Sequence, residues 1–526
     1  MRFVGLMAAS ALFVLLFEHF EFTHHWTLWP LGALVILGIW DLIQSQHSLL
    51  RNYPLIGHLR WLSEAVRPQV QQYFVESDTA GAPFARNERS VVYVRAKNIE
   101  DAVPFGTELD VYGDGYEWLN HAVVPKPIPD TPYRTTIGNG QCQRPYSASG
   151  LNISAMSFGA LGPAAIRALN QGASRGGFAQ DSGEGGISRY HLEFGGDLIW
   201  EIGTGYFGCR DRHGGFDPAR FAEQAQLDSV KMIEVKLSQG AKPGHGGVLP
   251  AAKITAEIVA ARGVPPGQDC ISPNAHAEFD SPVGLLEFLA RLRDLSGGKP
   301  VGIKLCVGHP WEFLAICKAM LETEIRIDFV VVDGSEGGTG AAPMEFPNYI
   351  GTPLREGLLL VRNGLVGCGL RDHVKIGVAG KLSTGMRMAA AMAIGADWCN
   401  AARPFMFALG CVQSQRCHTN LCPTSVATMD LWRQRALNVD SKAERVYWYH
   451  RNSQRALSTI VAAAGLSGPS DLRPEHVYRR VDHDVARSFA ELYEFVEPGA
   501  LHEGAVSTAL SRHWNTASAY TFEPSR

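Results

Sequence analysis

This 526-residue chain lacks the marks of several specialised classes. It has no basic excess: 48 Lys and Arg stand against 52 Asp and Glu, the formal net charge is -4 at pH 7, and no Lys/Arg-rich run occurs. A nucleic-acid partner is therefore not expected. Ten cysteines are too sparse at this length for a disulfide scaffold. Charged residues make up only 19% and hydrophobic ones 46%, which excludes a disordered chain and allows a large core. Collagen periodicity is absent, yet the 55 glycines exceed the usual share of about 7%. Such an excess points to loops that approach a ligand closely. The length fits about three domains, or one large α/β barrel with additions.

Long apolar stretches are confined to the first fifty residues. Residues 3–17 and 26–40 carry no charge, and Glu18, Glu21 and several His lie between them. Fifteen helical residues span roughly 22 Å, short of the ~30 Å hydrocarbon core. Flanking Phe20, Phe22, Leu42 and Ile43 can extend each segment, so a transmembrane hairpin over 1–50 is expected. A cleaved signal peptide with Arg2 as its charged n-region and a buried soluble hairpin are the rival readings. Arg2 precedes the hairpin, and Arg51 and Arg60 follow it. The positive-inside rule then places the chain in the inner (cytoplasmic) membrane with everything after residue 50 facing the cytoplasm. Residues 51–146 read as an extension packing on the core, ending in a proline-rich strap at 124–132.

From 147 to 430 the pattern becomes regular. Apolar runs at 151–156, 177–180, 232–237, 270–272, 301–306, 329–333, 374–378 and 398–400 are mostly followed by Gly-rich turns and helical stretches, as at 163–174, 312–322 and 385–395. Eight strand-then-helix units predict an α/β fold of the (β/α)8 (TIM barrel) kind, with chemistry at the strand ends. A doubly wound dinucleotide fold would open on Gly-x-Gly-x-x-Gly after its first strand, and that is absent. Residues 431–526 are charged and helical, an extension packing on the barrel.

Four constellations carry chemistry. Three of the ten cysteines fall within Cys411-x5-Cys417-x4-Cys422-Pro423. Close thiolates suit a three-iron cluster, or a four-iron cluster with one further ligand. Zinc bound by these cysteines and His418 is the competing reading. Glycine turns follow two late strands, Gly337-Gly338-Thr339-Gly340 and Gly380 to Gly385. Free backbone N–H groups beside a helix N-terminus attract phosphate. Lys236, Gln239 and Lys242 lie at a strand end and offer the cations and amide a dicarboxylate needs. Glu184 sits among glycines in Asp181-Ser-Gly-Glu-Gly-Gly186, and Lys304 ends an apolar strand. An ammonium there can stabilise negative charge on a reduced ring.

Together Ser154-Ala-Met-Ser-Phe-Gly-Ala160, Gly183-Glu-Gly-Gly186, Lys236-x2-Gln-Gly-Ala-Lys-Pro-Gly, Gly337-Gly-Thr-Gly-Ala341 and Cys411-x5-Cys-His-Thr-Asn-x-Cys-Pro423 resemble the synthase domain of glutamate synthases, over about 151–429. The apolar N-terminus and Arg51-Asn-Tyr-Pro-Leu-Ile-Gly-His58 resemble the short stand-alone, membrane-associated branch of that family. The resemblance implies FMN in the barrel mouth and a 3Fe-4S cluster on Cys411, Cys417 and Cys422. It implies that Gly337, Gly338, Thr339, Gly340, Gly380 and Gly385 hold the FMN phosphate. Lys304 would face the ring, with Ser154, Ala155, Met156 and Ser157 on its other side. Gln239 and Lys242 would contact 2-oxoglutarate with Lys236 nearby, and ammonia would arrive at Glu184. The implied reaction is reductive amination to L-glutamate, with electrons from an external donor such as ferredoxin or a reductase subunit. The chain opens Met1-Arg2-Phe3 rather than on a nucleophilic Cys, so ammonia is expected from solution or from glutamine through a separate amidotransferase subunit. His245 stands where the large enzymes carry Glu. A related oxidoreductase acting on another amine or 2-oxo acid, such as one forming N-alkyl glutamate, is an alternative. A membrane-attached electron carrier is a further one.

Overall fold

A computed structural model of the chain describes residues 28–525. Their backbone divides into two compact units, one ending at Arg86 and one beginning at Asn87.

In the first unit the helix Leu28–Ile43 has 16 residues, about 24 Å at 1.5 Å per residue. Asp41 in its last turn is fully buried. The Asp41 carboxylate accepts the Leu55 N–H at 2.9 Å and meets His58 Nε2 at 2.9 Å. That helix therefore ends in a buried polar lock with the chain that follows it. The expected membrane-spanning hairpin, and the inner-membrane localisation built on it, are corrected here. Among the described residues no helix is long and apolar enough to cross a membrane. The first arm of the expected hairpin, residues 3–17, lies outside the described residues.

The second unit is built on a closed barrel of eight parallel strands in sequential order. They are β1 Leu151–Ile153, β2 Gln180–Asp181, β3 Leu198–Ile202, β4 Val230–Lys236, β5 Val301–Leu305, β6 Phe329–Asp333, β7 Lys375–Ala379 and β8 Trp398–Ala401. Seven lie where apolar runs mark them in the sequence. β3, Leu-Ile-Trp-Glu-Ile, does not read as a core strand because Glu201 interrupts its apolar run. The run at 270–272 is not part of the barrel: Cys270–Ile271 pairs antiparallel with Val248–Leu249 in a two-stranded sheet above it.

Inward-facing side chains form layers, as a barrel of this kind requires. At the N-terminal end, Ile199, Met232, Phe329, Val331 and Trp398 pack with Ala179. An antiparallel hairpin, Arg134–Ile137 with Tyr146–Ser149, adds Ile137, Tyr146 and Ala148 to that cluster. Asp328 fixes the same end. It pairs with Arg293 at 3.0 Å and accepts the N–H groups of Val301 and Asn139, each at 2.8 Å. The layer above is polar: Asp181, Glu201, Glu234 and Lys304 are each buried. Chemistry thus begins halfway up the barrel and opens at the C-terminal ends of the strands.

Outside the barrel, the 25-residue helix Val439–Ala463 lies along Pro163–Gly176. A Cβ at Gly172 would stand 2.5 Å from Val446 Cγ1, so glycine sets that close approach. The C-terminal region also supplies two strands, Val477–Asp482 and Val485–Ser488, which form a three-stranded sheet with Glu117–Leu119.

Candidate active site

All eight strands deliver residues to one end of the barrel. The Ser154 N–H donates to Ala401 O at 3.0 Å, so the Ser154–Ser157 segment leaves β1 held against the top of β8. The loop after β2 turns back at Gly183, which has φ +66° and would place a Cβ 2.6 Å from Ser157 N. Only glycine meets both demands, and the turn aims the neighbouring Glu184 across the mouth.

Glu184 meets the end of β4. Lys236 Nζ donates to Glu184 Oε2 at 2.9 Å and to Gln239 Oε1 at 3.3 Å, and lies 3.8 Å from Glu201 Oε1. Burial pushes the Glu184 carboxyl up, but the Lys236 ammonium outweighs it and holds the group below the usual range. Reciprocally, burial works against the Lys236 cation and Glu184 with Glu201 raises its pKa. Both groups are therefore charged at neutral pH. Lys242 is also buried, and burial lowers its pKa against the pull of Glu184. The structure thus brings Glu184, Lys236, Gln239 and Lys242 into one site.

The loop carrying Lys242 is fixed by close backbone contacts. A Cβ at Gly240 would fall 1.9 Å from Gly334 O, and one at Gly246 would fall 1.9 Å from Ser272 O. At Gly247 it would lie 2.2 Å from Glu184 Oε1. The Gly240 N–H donates to Asp333 Oδ2 at 3.0 Å, which ties the loop to the end of β6. His245 stacks edge-on against Phe346 at 5.3 Å.

Below this constellation Lys304 Nζ donates to Glu201 Oε2 at 2.8 Å. It lies 4.0 Å from both Glu234 Oε1 and Asp333 Oδ2. Burial opposes its charge, yet Glu201, Asp333, Asp181 and Glu234 hold its pKa well above the usual value. The sequence reading singles out Lys304 but passes over Glu201, Glu234 and Asp333, all in the same interior. The signal for them is an acid at an inward position of an otherwise apolar strand, as in Met-Ile-Glu234-Val-Lys236.

The two glycine turns stand side by side. Arg403, at the start of the helix Arg403–Leu409 after β8, donates to Glu336 O at 2.7 Å. A Cβ at Gly338 would sit 2.8 Å from the Arg403 Nε. Burial lowers the Arg403 pKa to about 10, against the pull of Asp333, Glu336 and Glu88. This cation beside the turns is not apparent from the sequence. Gly340 faces open space, and Gly380 lies against Leu354. Gly385 opens the helix Gly385–Ile394, and a Cβ there would stand 2.9 Å from Leu457 N. Ser383, 1% exposed in the second turn, has a hydroxyl without a hydrogen-bond partner.

Cys411, Cys417 and Cys422 follow the helix Arg403–Leu409 on a contorted segment. Gln413, Gln415, Asn420 and Ser425 all have φ between +55° and +67°. Non-glycine residues hold that conformation only where the surroundings over-determine it. Burial pushes the Cys411 thiol up to about 12. At Cys422 burial is outweighed by the Ala427, Thr424 and Val426 N–H groups and the Thr424 hydroxyl, which hold its thiol below the usual value. Lys253, also not singled out in the sequence, donates to Ala160 O at 2.9 Å and to Cys417 O at 3.2 Å. His418 points to solvent.

Comparison with known proteins adds a family. The conserved region in glutamate synthase matches residues 134–467. The glutamate synthase large subunit-like protein YerD of Bacillus subtilis is 37% identical over 509 residues, covering 89% of this chain and 96% of that protein. The archaeal glutamate synthase (NADPH) of Archaeoglobus fulgidus is 31% identical, over 61% of this chain and 60% of its own length. The glutamate synthase (NADPH) large chain of Azospirillum brasilense is also 31% identical, over 64% of this chain but 21% of that protein.

Proposed function

The chain belongs to the glutamate synthase family, and we propose that it reductively aminates 2-oxoglutarate with ammonia to L-glutamate. The observation that carries this reading is the convergence of Lys236, Gln239, Lys242 and Glu184 at the barrel mouth. Lys242 and Gln239 bind and orient the two carboxylates, where charge-assisted hydrogen bonds are strong and water is excluded. Glu184, held ionised by Lys236, accepts N–H bonds from the incoming ammonia beside the keto carbon.

FMN fits the mouth. The paired glycine turns, the Arg403 cation and the unpartnered Ser383 hydroxyl suit its phosphate, and Lys304 lies in the barrel beneath the place its ring would take. The cysteine segment fits a 3Fe-4S cluster better than zinc. One zinc ion with bonds of ~2.3 Å would hold its sulfurs roughly 3.8 Å apart. Among the described residues only Asp181, Glu201 and Glu234 bring metal-ligating atoms within 4.8 Å of one another; the three thiols do not. In a cluster each thiolate binds its own iron, so a wider spread is required. When bound, FMN supplies hydride to the substrate carbon, and the cluster passes single electrons from an external donor.

The test is anaerobic turnover with reduced methyl viologen as donor, 2-oxoglutarate and 15N-ammonium. Formation of 15N-glutamate, abolished by omitting either substrate, is expected. Holoprotein with both cofactors bound that forms no labelled glutamate would refute the reading.

A further inference from the structure

One buried cation bridges the loop after β1 to the cysteine segment. The two pieces of chain are tightly packed: the Gly162 N–H donates to Val426 O at 3.0 Å, and a Cβ at Gly162 would fall 2.3 Å from Thr428 O. Lys253, in the short turn Ala251–Lys253, closes the junction. Its Nζ donates to Ala160 O at 2.9 Å and to Cys417 O at 3.2 Å, and the residue is 2% exposed. Neighbours hold the turn in place. Asn420 Nδ2 donates to Ala252 O at 3.3 Å, and Arg262, at the end of the helix Ala256–Arg262, donates to Phe158 O at 3.0 Å.

A buried ammonium is costly unless an opposite charge faces it. Lys236 meets Glu184, and Lys304 meets Glu201. Lys299, another lysine buried against two carbonyls, has Asp228 to favour its charge. Lys253 has no such acid among the described residues. Burial works against its charge, the groups that favour it are Cys417 and Cys422 as thiolates, and Arg262 opposes it. The negative charge that Lys253 faces is therefore that of the cysteine segment.

We propose that Lys253 is the counter-charge of the iron–sulfur cluster and raises its reduction potential, an inference that rests on the cluster reading above. Cys411, Cys417 and Cys422, one buried and two half-buried, bring three negative charges into this segment when they bind iron as thiolates. Reduction by the external donor adds one electron and one further negative charge, with no bond made or broken. A cation fixed beside Cys417 therefore stabilises the reduced cluster more than the oxidised one. Its burial leaves that attraction little screened by salt. Lys253 acts through the cluster and touches no substrate, so it is a positioning residue whose effect is electrostatic.

The test is the cluster's midpoint potential, read from its EPR signal in holoprotein poised at a series of potentials at neutral pH, with iron and sulfide content measured on every sample. Lys253→Met and Lys253→Gln remove the charge, the Gln variant keeping a hydrogen-bond donor, and Lys253→Arg keeps both. The neutral variants should shift the reduction equilibrium at least tenfold toward the oxidised cluster, a fall of about 59 mV or more for one electron. The Arg variant should stay within twofold of wild type. An unchanged midpoint in both neutral variants, or an equal fall in the Arg variant, would overturn the proposal and leave the cluster reading standing. Cluster lost from the neutral variants but kept by Lys253→Arg would support the counter-charge through assembly, whereas loss from all three would overturn it. A wild type without a cluster signal would remove the cluster reading and the proposal with it.

Discussion

Replacing Lys304 by Met should destabilise the protein in a strongly pH-dependent way. Lys304 is 3% exposed, with its ammonium 2.8 Å from Glu201 and 4.0 Å from Glu234 and Asp333. Removing one partner of a buried charge pair costs about 3–5 kcal/mol, because the remaining charge is left uncompensated. The apolar part of the change is small, since volume-conserving swaps usually cost under about 1.5 kcal/mol. Burial, with Glu201 close by, already raises Asp181 to about 7, and burial with the Asp181 charge beside it raises Glu234 well above the usual carboxylate range. A carboxyl raised above its unfolded value binds its proton more tightly in the folded state. Such a group favours folding at low pH, and this contribution is lost as pH rises through the folded pKa. Without Lys304 the acids rise further, so the variant's deficit should be large at pH 8 and shrink to about 1.5 kcal/mol or less at pH 5. Urea unfolding midpoints of the holoprotein at the two pH values provide the assay, with the slopes compared to exclude altered denatured states. An equal loss at both pH values would refute the electrostatic account and leave packing as the explanation.

Three further outcomes follow from the site. Lys242→Ala should raise the 2-oxoglutarate KM about 10- to 100-fold, the loss of one charged hydrogen bond of about 1.5–3 kcal/mol; an unchanged KM would remove Lys242 from the substrate site. Gly247→Ala places a Cβ 2.2 Å from Glu184 Oε1 and should displace that carboxylate from Lys236. Its expected effect is a raised ammonium KM with flavin content retained, and wild-type kinetics would contradict the contact. Cys417→Ser should abolish the visible absorbance and EPR signal of the cluster while flavin stays bound; a full cluster signal in that variant would show that Cys417 is not a ligand.

Much of the barrel was legible because β1, β4, β5, β6, β7 and β8 are short apolar runs followed by Gly-rich turns. β3 was not, since Glu201 interrupts the apolar run, and an acid in a strand ordinarily signals solvent. The 270–272 segment has strand-like residues, but its two-residue pairing with Val248–Leu249 is a non-local choice that local preference does not encode. In the site, residues at strand ends could be read from type and spacing, as with Lys236, Gln239 and Lys242. Arg403 could not, because its significance lies in the glycine turn it faces. The N-terminal apolar residues suggested a membrane, but helix length and the buried Asp41 lock turn on three-dimensional structure rather than composition.

The central claim, reductive amination by this chain, is tested most directly by flavin reoxidation in a single turnover. Anaerobic holoprotein would be reduced with dithionite just to completion and mixed with 2-oxoglutarate, with and without ammonium. The account predicts that oxidised-flavin absorbance returns only when both are present, with about one glutamate formed per flavin. Reoxidation by 2-oxoglutarate alone, or no reoxidation with both cofactors bound and both substrates present, would contradict it.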